Sequence, residues 1–414
     1  MKVLIKHISR LCQVRDTSPL LRGAEMSILP CLEHAWILLE DGIIAAYGTM
    51  DQMPAPMETV RQTIDANGGM VLPAWCDSHS HIVFDGSREL EFVDKIRGLT
   101  YAEIAARGGG ILHSAARLRE ASEDTLYRQA RERLEEVSKL GTGALEIKSG
   151  YGLTVEGELK MLRVIRRLQK DSPVEIKSTF LGAHTYPLAF RDDHEGYIRQ
   201  IIDDMLPVIA REKLADYIDV FCEDGFFSPE EAGRICRAGM SYGLRPKIHA
   251  NQLSLSGGVE LGVKLGALSV DHLETMDDAT TRLLAESDTI GTLLPTAAFF
   301  LRMPFQPARD LIRAGAAIAL ASDFNPGSSP SGNMNLVVSM ACIQMKMLPE
   351  EAINAATLNG AHAMELGSSL GSITVGKKAH LILTKPVPSL AFLPYAFGTN
   401  HIRGIILGNE QLLP

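Results

Sequence analysis

The run AAIALASDF, residues 316–324, decides how this chain folds. It is apolar without a break from Ala316 to Ala321 and turns polar at Ser322 and Asp323. So short an apolar stretch reads as a strand buried on both faces, with the carboxylate at its C-terminal end. The pattern recurs upstream in GMVLPAWCD at 69–77, GALEIKSG at 143–150, VEIKSTFLGAH at 174–184 and YIDVFCED at 217–224. RPKIHAN at 245–251, ALSVDHLE at 267–274 and TIGTLLPT at 289–296 complete the series. Helical patterns such as TLYRQARERLEEVSKL and EGELKMLRVIRRLQK lie between them. Strands and helices in this alternation predict an α/β fold, a (β/α)8 TIM barrel, with a doubly wound open sheet as the other arrangement. The polar residues argue for the barrel. His79 and His81, Lys148, His184, Glu223, His249, His272 and Asp323 stand at C-terminal strand ends, an edge that a barrel gathers into one pocket.

Both ends of the chain are β-rich. AWILLEDGIIAAYG reads as two strands around the turn Asp41-Gly42, and GSITVGKKAHLILTK and HIRGIILGNEQLL repeat the short-strand pattern. The economical arrangement is one accessory unit, a small composite β-sandwich built from residues 1–66 plus 365–414, beside a barrel over 67–364.

Composition narrows the partners. The 414 residues are 46% hydrophobic and 22% charged, which predicts a well-buried globular protein. The net charge of -9, with no Lys/Arg block, predicts no nucleic-acid partner and no anionic membrane surface. No apolar stretch reaches the roughly 20 residues of a membrane span, and MKVLIKHISRLCQV lacks the apolar core of a signal peptide. The six cysteines are scattered without a C-x-x-C, so reduced thiols and a cytoplasmic location are expected.

His79 and His81 alternate on an extended segment and point to one side, where two imidazoles can share a cation; a pair of ordinary loop histidines gives the same spacing. His249 and Asp323 extend the pair to three imidazoles and a carboxylate, a set suited to zinc or iron. Each also has a structural reading, His249 as a hydrogen-bonded strand end and Asp323 as an N-cap or Asx-turn residue before Asn325-Pro326-Gly327. Asp323 and His272 are the candidates for accepting and moving a proton. Arg88 in GSRE is a candidate carboxylate clamp, with an ion pair to Glu89, Glu91 or Asp94 as the rival reading. Tyr101 and Tyr151 are candidates to flank a planar substrate or to pack. The loop NPGSSPSGN at 325–333 offers backbone N–H groups and the Ser328 and Ser329 hydroxyls to an anion, or forms a tight turn. Lys148 reads as a salt-bridged or structural lysine, which leaves a one-metal site.

With these residues in place the chain resembles the amidohydrolase superfamily and, within it, the imidazolonepropionase family. DSHSHIVFDGSRE, EIKSGYGL, TFLGAH, IDVFCE, KIHANQLS, SVDHLE and ASDFNPGSSP carry the resemblance in family order. It implies hydrolysis of 4-imidazolone-5-propanoate to N-formimidoyl-L-glutamate, the third step of histidine degradation. It implies one zinc or iron ion per subunit, held by His79, His81, His249 and Asp323, and a homodimer. Arg88, Tyr101, Tyr151, His184, Gln252, Asn325, Gly327 and Ser328 resemble the substrate contacts, and His272 the residue beside the attacked carbonyl. Some members of the family carry a glutamate where Gln252 stands. An amide cannot act as a base, so that role is expected at Asp323 with His272 assisting. Ser80, in place of the commoner threonine, is expected to point away from the ligand pair.

Overall fold

The computed structural model describes residues 1–54, 60–99, 103 and 109–412. The first five strands are β1 (Lys2–Cys12), β2 (Cys31–Glu40), β3 (Ile43–Thr49), β4 (Gln62–Asp65) and β5 (Val71–Pro73). The eight that follow are β6 (Trp75–Ser80), β7 (Thr142–Lys148), β8 (Glu175–Ala183), β9 (Tyr217–Cys222), β10 (Arg245–Ala250), β11 (Ser269–His272), β12 (Ile290–Leu293) and β13 (Ile318–Leu320). The last three are β14 (His380–Thr384), β15 (Ile402–Leu407) and β16 (Glu410–Leu412).

Strands from the two ends of the chain meet in one mixed sheet, ordered β16-β15-β14-β5-β1-β2-β3 with β4 on β1. Asp41 and Gly42 take φ of 49° and 80°, the paired left-handed conformation that matches a two-residue hairpin to the twist of β2 and β3. The strands β6 to β13 form the second sheet, each parallel to its neighbour in sequence. A doubly wound sheet would reverse its strand order at a switch point, and this one runs straight through and closes. His81 N donates to Phe324 O at 2.8 Å and Asp323 N to His79 O at 2.9 Å, stitching the end of β6 to the chain leaving β13. The architecture is a TIM-type barrel with a small composite sheet.

One strand reading is corrected. Residues 69–77, expected as a single barrel strand, divide between the two sheets. Val71–Pro73 pairs antiparallel with β14, and Trp75–Ser80 opens the barrel. Pro73 has no N–H to continue a ladder. Ala74 N still donates to His380 O of β14, and Trp75 N is the first donor to change partner, to Gly141 O.

Helices cover the barrel for reasons visible in their sequences. The helix Glu123–Lys139 starts at Ser122, whose hydroxyl accepts from Thr125 N, and buries Leu126, Ala130, Leu134 and Val137 along one stripe. The helix Val155–Asp171 is capped by Thr154 in the same way and buries Leu162, Ile165 and Leu168. These side chains share one core with Leu145, Ile147, Val220 and Ile248 of the strands. Each large aliphatic group so buried contributes roughly 1.5–3 kcal/mol.

Candidate active site

His79 lies in β6 and His81 just beyond it, so the extended backbone turns both rings to one side. Their Nε2 atoms are 3.3 Å apart, and Asp323 Oδ1 lies 3.5 Å from the first and 3.6 Å from the second. His249, in β10, brings its ring centroid to 4.5 Å from that of His79. Donor atoms of His79, His81 and His249 all fall within 4.8 Å of one another, as do those of His79, His272 and Asp323. The arrangement fits a metal ion. Two ligands at about 2.0–2.1 Å on a tetrahedral centre stand about 3.3 Å apart. His249 supplies a buried Nε2 with no hydrogen-bond partner among the described residues.

The ring tautomers follow from the far side of each histidine. Asp271 Oδ2 accepts from His79 Nδ1 at 2.7 Å, and the Ser149 carbonyl accepts from His81 Nδ1 at 3.4 Å. Both Nε2 atoms are thereby left as lone-pair donors. Asp219 Oδ2 sits 2.9 Å from His249 Nδ1, close but out of line for a good hydrogen bond, while Asp219 Oδ1 accepts from His249 N at 3.1 Å. Burial, then the Lys148 charge, hold His79 well below its ordinary pKa; burial, then His184, do the same for His81. Neutral rings are what a metal requires.

Lys148 is fully buried, with Nζ 2.7 Å from Glu146, 2.8 Å from Asp219 and 3.3 Å from Asp271. Burial works to lower its pKa, but the three carboxylates outweigh it and raise it. This is the salt-bridged lysine expected from the sequence. It is committed to the carboxylates behind the ligand rings rather than bridging two metals. Ser80 Oγ donates to Glu146 O at 2.6 Å, away from the ligand pair.

Asp323 and His272 share the inner cavity, about 70 Å³, with His81, His249 and Gln252. Burial raises the Asp323 pKa against the pull of His272 and His249. Burial pulls His272 the other way, but Glu274, 3.4 Å from its Nδ1, outweighs it and the net shift is upward. An outer cavity of about 430 Å³ is lined by Arg88, Lys95, Gly327 and Leu253, and Tyr151, His184, Asn325 and Ser328 line both cavities. His184 donates Nδ1–H to Gly150 O at 3.1 Å. Gly150 has φ +111°, and a Cβ there would lie 2.8 Å from His184 Nδ1, so glycine is what allows the approach. Burial, then His249, lower His184 to about 3; burial, then Asp323, raise Tyr151 above its ordinary value. Tyr101 lies outside the described residues.

Arg88 makes the ion pair that rivalled the clamp reading, its Nε and Nη2 reaching Glu91 Oε2 at 3.0 and 2.6 Å, yet its side chain still lines the outer cavity. The loop after Asp323 is a tight turn. Asn325 Oδ1 accepts from Gly327 N and Ser328 N, both at 2.8 Å, and Ser329 Oγ donates to Ser322 O at 2.8 Å. Those amides are spent within the loop and are not offered to an anion.

Several residues here were not singled out from sequence: Asp219 and Asp271 behind the ligand rings, Glu274 behind His272, and Lys95. Asp77, which accepts from Ser322 N at 2.9 Å and Ser322 Oγ at 2.5 Å, is another. A carboxylate inside an apolar run, as in YIDVFC, was the available signal, because a charge in a fully buried strand needs a partner.

The amidohydrolase family model matches residues 70–409 of this chain. An imidazolonepropionase of Flavobacterium johnsoniae is 56% identical over 411 residues, covering 99% of this chain and 100% of that one. An imidazolonepropionase of Christiangramia forsetii is 53% identical over 413 residues, covering 100% of each. Among solved structures, a variant of atrazine chlorohydrolase from Arthrobacter aurescens complexed with zinc has a TM-score of 0.76 at 15% identity, over 99% of this chain and 95% of that one. Guanine deaminase of E. coli has a TM-score of 0.75 at 14% identity, over 100% of this chain and 99% of that one. The structural likeness concerns the fold, and the sequence likeness reaches nearly end to end.

Proposed function

The chain belongs to the amidohydrolase family, and we propose that it hydrolyses the ring amide of 4-imidazolone-5-propanoate to N-formimidoyl-L-glutamate in histidine degradation. The near-full-length identity to relatives named for that activity supports the reaction. The observation that carries it is the shared wall of two cavities, one lined by His81, His249 and Asp323 and the other by Arg88. That arrangement suits a small ring with a carboxylate at one end.

His79, His81, His249 and Asp323 would hold a divalent ion, which when bound would supply Lewis-acid chemistry to water and the ring carbonyl. The side chains do the rest. Asp323, raised in pKa, accepts the proton of the attacking water. His272 donates a hydrogen bond to the carbonyl oxygen as charge develops there. The water oxygen bonds to the carbonyl carbon, the ring C–N bond breaks, and the leaving nitrogen takes the proton that Asp323 held. Gln252, a neutral amide, positions water or a ring N–H and takes no proton. Tyr151 stays protonated as a donor, and His184, with Nδ1–H given to Gly150, offers Nε2 to the ring. Asn325 and Ser328 shape the wall; Ser328 Oγ lies 3.2 Å from Asp323 Oδ2. Gly327 leaves room for Arg88, because a Cβ there would lie 2.3 Å from Arg88 Nη1. Tyr101 completes the substrate contacts in this reading.

We read one zinc or iron ion per subunit, since the imidazole-rich set with one carboxylate suits both. A cytoplasmic location is supported by six free cysteines. The net charge of -9 supports a small-molecule substrate over nucleic acid or a membrane surface, and no helix among the described residues is long and apolar enough to cross a membrane. A homodimer rests on the family and on the frequency of two-fold assemblies. The test is the loss of ultraviolet absorbance of freshly made 4-imidazolone-5-propanoate, with bound metal quantified in the same sample. Turnover with about one zinc or iron per chain is expected; a filled site without turnover overturns the substrate.

A further inference from the structure

Arg88, Glu91 and Lys95 fall at i, i+3 and i+7, Arg88 immediately before the helix Glu89–Ile96 and the other two within it, so they form one stripe. Arg88 gives Nε and Nη2 to Glu91, which leaves Nη1 as its free edge. That edge lies over Gly327, as the 2.3 Å approach to a Cβ there shows. Lys95 Nζ approaches the same residue, 3.5 Å from the Gly327 carbonyl. Its hydrogen-bond partner among the described residues is therefore a carbonyl, not a carboxylate. Two cations thus meet at one glycine at the wall of the outer cavity.

The charges decide the matter. Arg88 and Glu91 cancel, so the guanidinium alone brings no net positive charge to the mouth. The loop amides of Gly327 and Ser328 are already accepted by Asn325 Oδ1. Adding Lys95 makes the stripe net positive by one. A carboxylate leaving water for a half-enclosed cavity needs that uncancelled charge, because an ion taken from water without a partner is costly. Burial and then the neighbouring Arg88 lower the Lys95 pKa, two cations held at close quarters whose repulsion an anion would relieve.

We propose that Lys95 is a specificity-determining residue of this site: it shares the substrate carboxylate with Nη1 of Arg88 and supplies the net charge that selects an acid over its neutral analogue. The proposal rests on the carboxylate-bearing substrate of the preceding subsection.

The experiment uses the metal-loaded wild-type protein, Lys95→Met and Lys95→Arg. Calorimetric binding of 3-(imidazol-4-yl)propanoate and of its methyl ester is the first readout; KM and kcat for 4-imidazolone-5-propanoate are the second. The expected result is that Lys95→Met weakens acid binding and raises KM about 5- to 10-fold, with kcat within about two-fold, on the scale of one charge-assisted contact at a partly exposed site. Ester binding is unchanged, and Lys95→Arg recovers most of the loss. Equal binding of acid by wild type and Lys95→Met overturns the proposal. So does an equal loss for acid and ester, which would mark a packing role, and so does a wild-type protein that binds no acid. Should wild type bind the acid but leave 4-imidazolone-5-propanoate intact, the reaction assigned above fails, and the binding comparison still decides Lys95.

Discussion

Asp271→Asn tests whether the carboxylates inside the barrel set the metal site. Asp271 Oδ2 accepts from His79 Nδ1 at 2.7 Å, and its other oxygen accepts from Ser269 Oγ at 2.6 Å. An ionised carboxylate accepts only, so it fixes the His79 proton on Nδ1 and frees Nε2. Asparagine presents either a neutral acceptor or a donor that clashes with that proton. The fold should survive, because Lys148 keeps Glu146 at 2.7 Å and Asp219 at 2.8 Å. The metal should not be held as well. Losing an outer partner of a ligand histidine costs about 10- to 100-fold in affinity, or roughly 1.4–2.7 kcal/mol. Metal at a hundred times the wild-type Kd stabilises the protein by about 2.7 kcal/mol, and a 30-fold weaker site would leave about 0.9 kcal/mol. Competition against a chromogenic chelator measures the affinity, and thermal midpoints of chelated and loaded protein measure the stabilisation. An Asp271→Asn protein with wild-type metal affinity would refute the reasoning and reduce the contact to packing.

The other predictions concern charge and pH. Lys148→Met leaves Glu146, Asp219 and Asp271 without that cation and should cost about 3–5 kcal/mol in urea unfolding; a change below 1 kcal/mol, on the order of a surface pair, would mean that the network adjusts around the loss. His184 has a folded pKa lowered to about 3, against about 6.5 for an unfolded histidine. The unfolded state therefore binds more protons between those values, and the stability from this group is complete above the upper one and lost as pH falls through the window. The chelated wild type should accordingly lose about 1.4 kcal/mol more than His184→Gln between pH 7.5 and 5.5, and parallel profiles would contradict it. Chelation should abolish turnover of 4-imidazolone-5-propanoate, and zinc or iron should restore it; activity that survives complete removal of metal would reject the ligand assignment.

The strands and the candidate ligands were legible for one reason. A polar residue that closes a short apolar run is rare, and AAIALASDF and RPKIHAN each carry one at the end where a barrel places chemistry. Other features could not be read because their partners are far away in sequence. Lys148 meets Asp219 and Asp271 only once β7 to β11 lie side by side, and Lys95 meets Gly327 across 232 positions. The stripe Arg88-Glu91-Lys95 could be seen as a helical face, but nothing local says which wall it faces.

A subtler failure lies in β11. Neighbouring residues of a strand point to opposite faces, so Asp271 and His272 should not both enter the barrel. Yet Asp271 bonds His79, and His272 joins His79 and Asp323 in the donor cluster. His272 has φ of 85° and Leu273 of 65°, and this left-handed turn at the strand end brings two consecutive side chains to one site. Asp323 repeats the device at φ 51°, following Ser322, whose hydroxyl bonds Asp77. For residues with a Cβ this conformation is costly, of order 1–3 kcal/mol each, and persists where the surrounding structure fixes it. The hydrogen bonds made here by Asp271, Ser322 and Asp77 are that fixation. Asp77 and Asp271 share the faces of His79 and His249 by alternation and register, and they hold in place the strand ends that carry Asp323 and the out-of-phase His272.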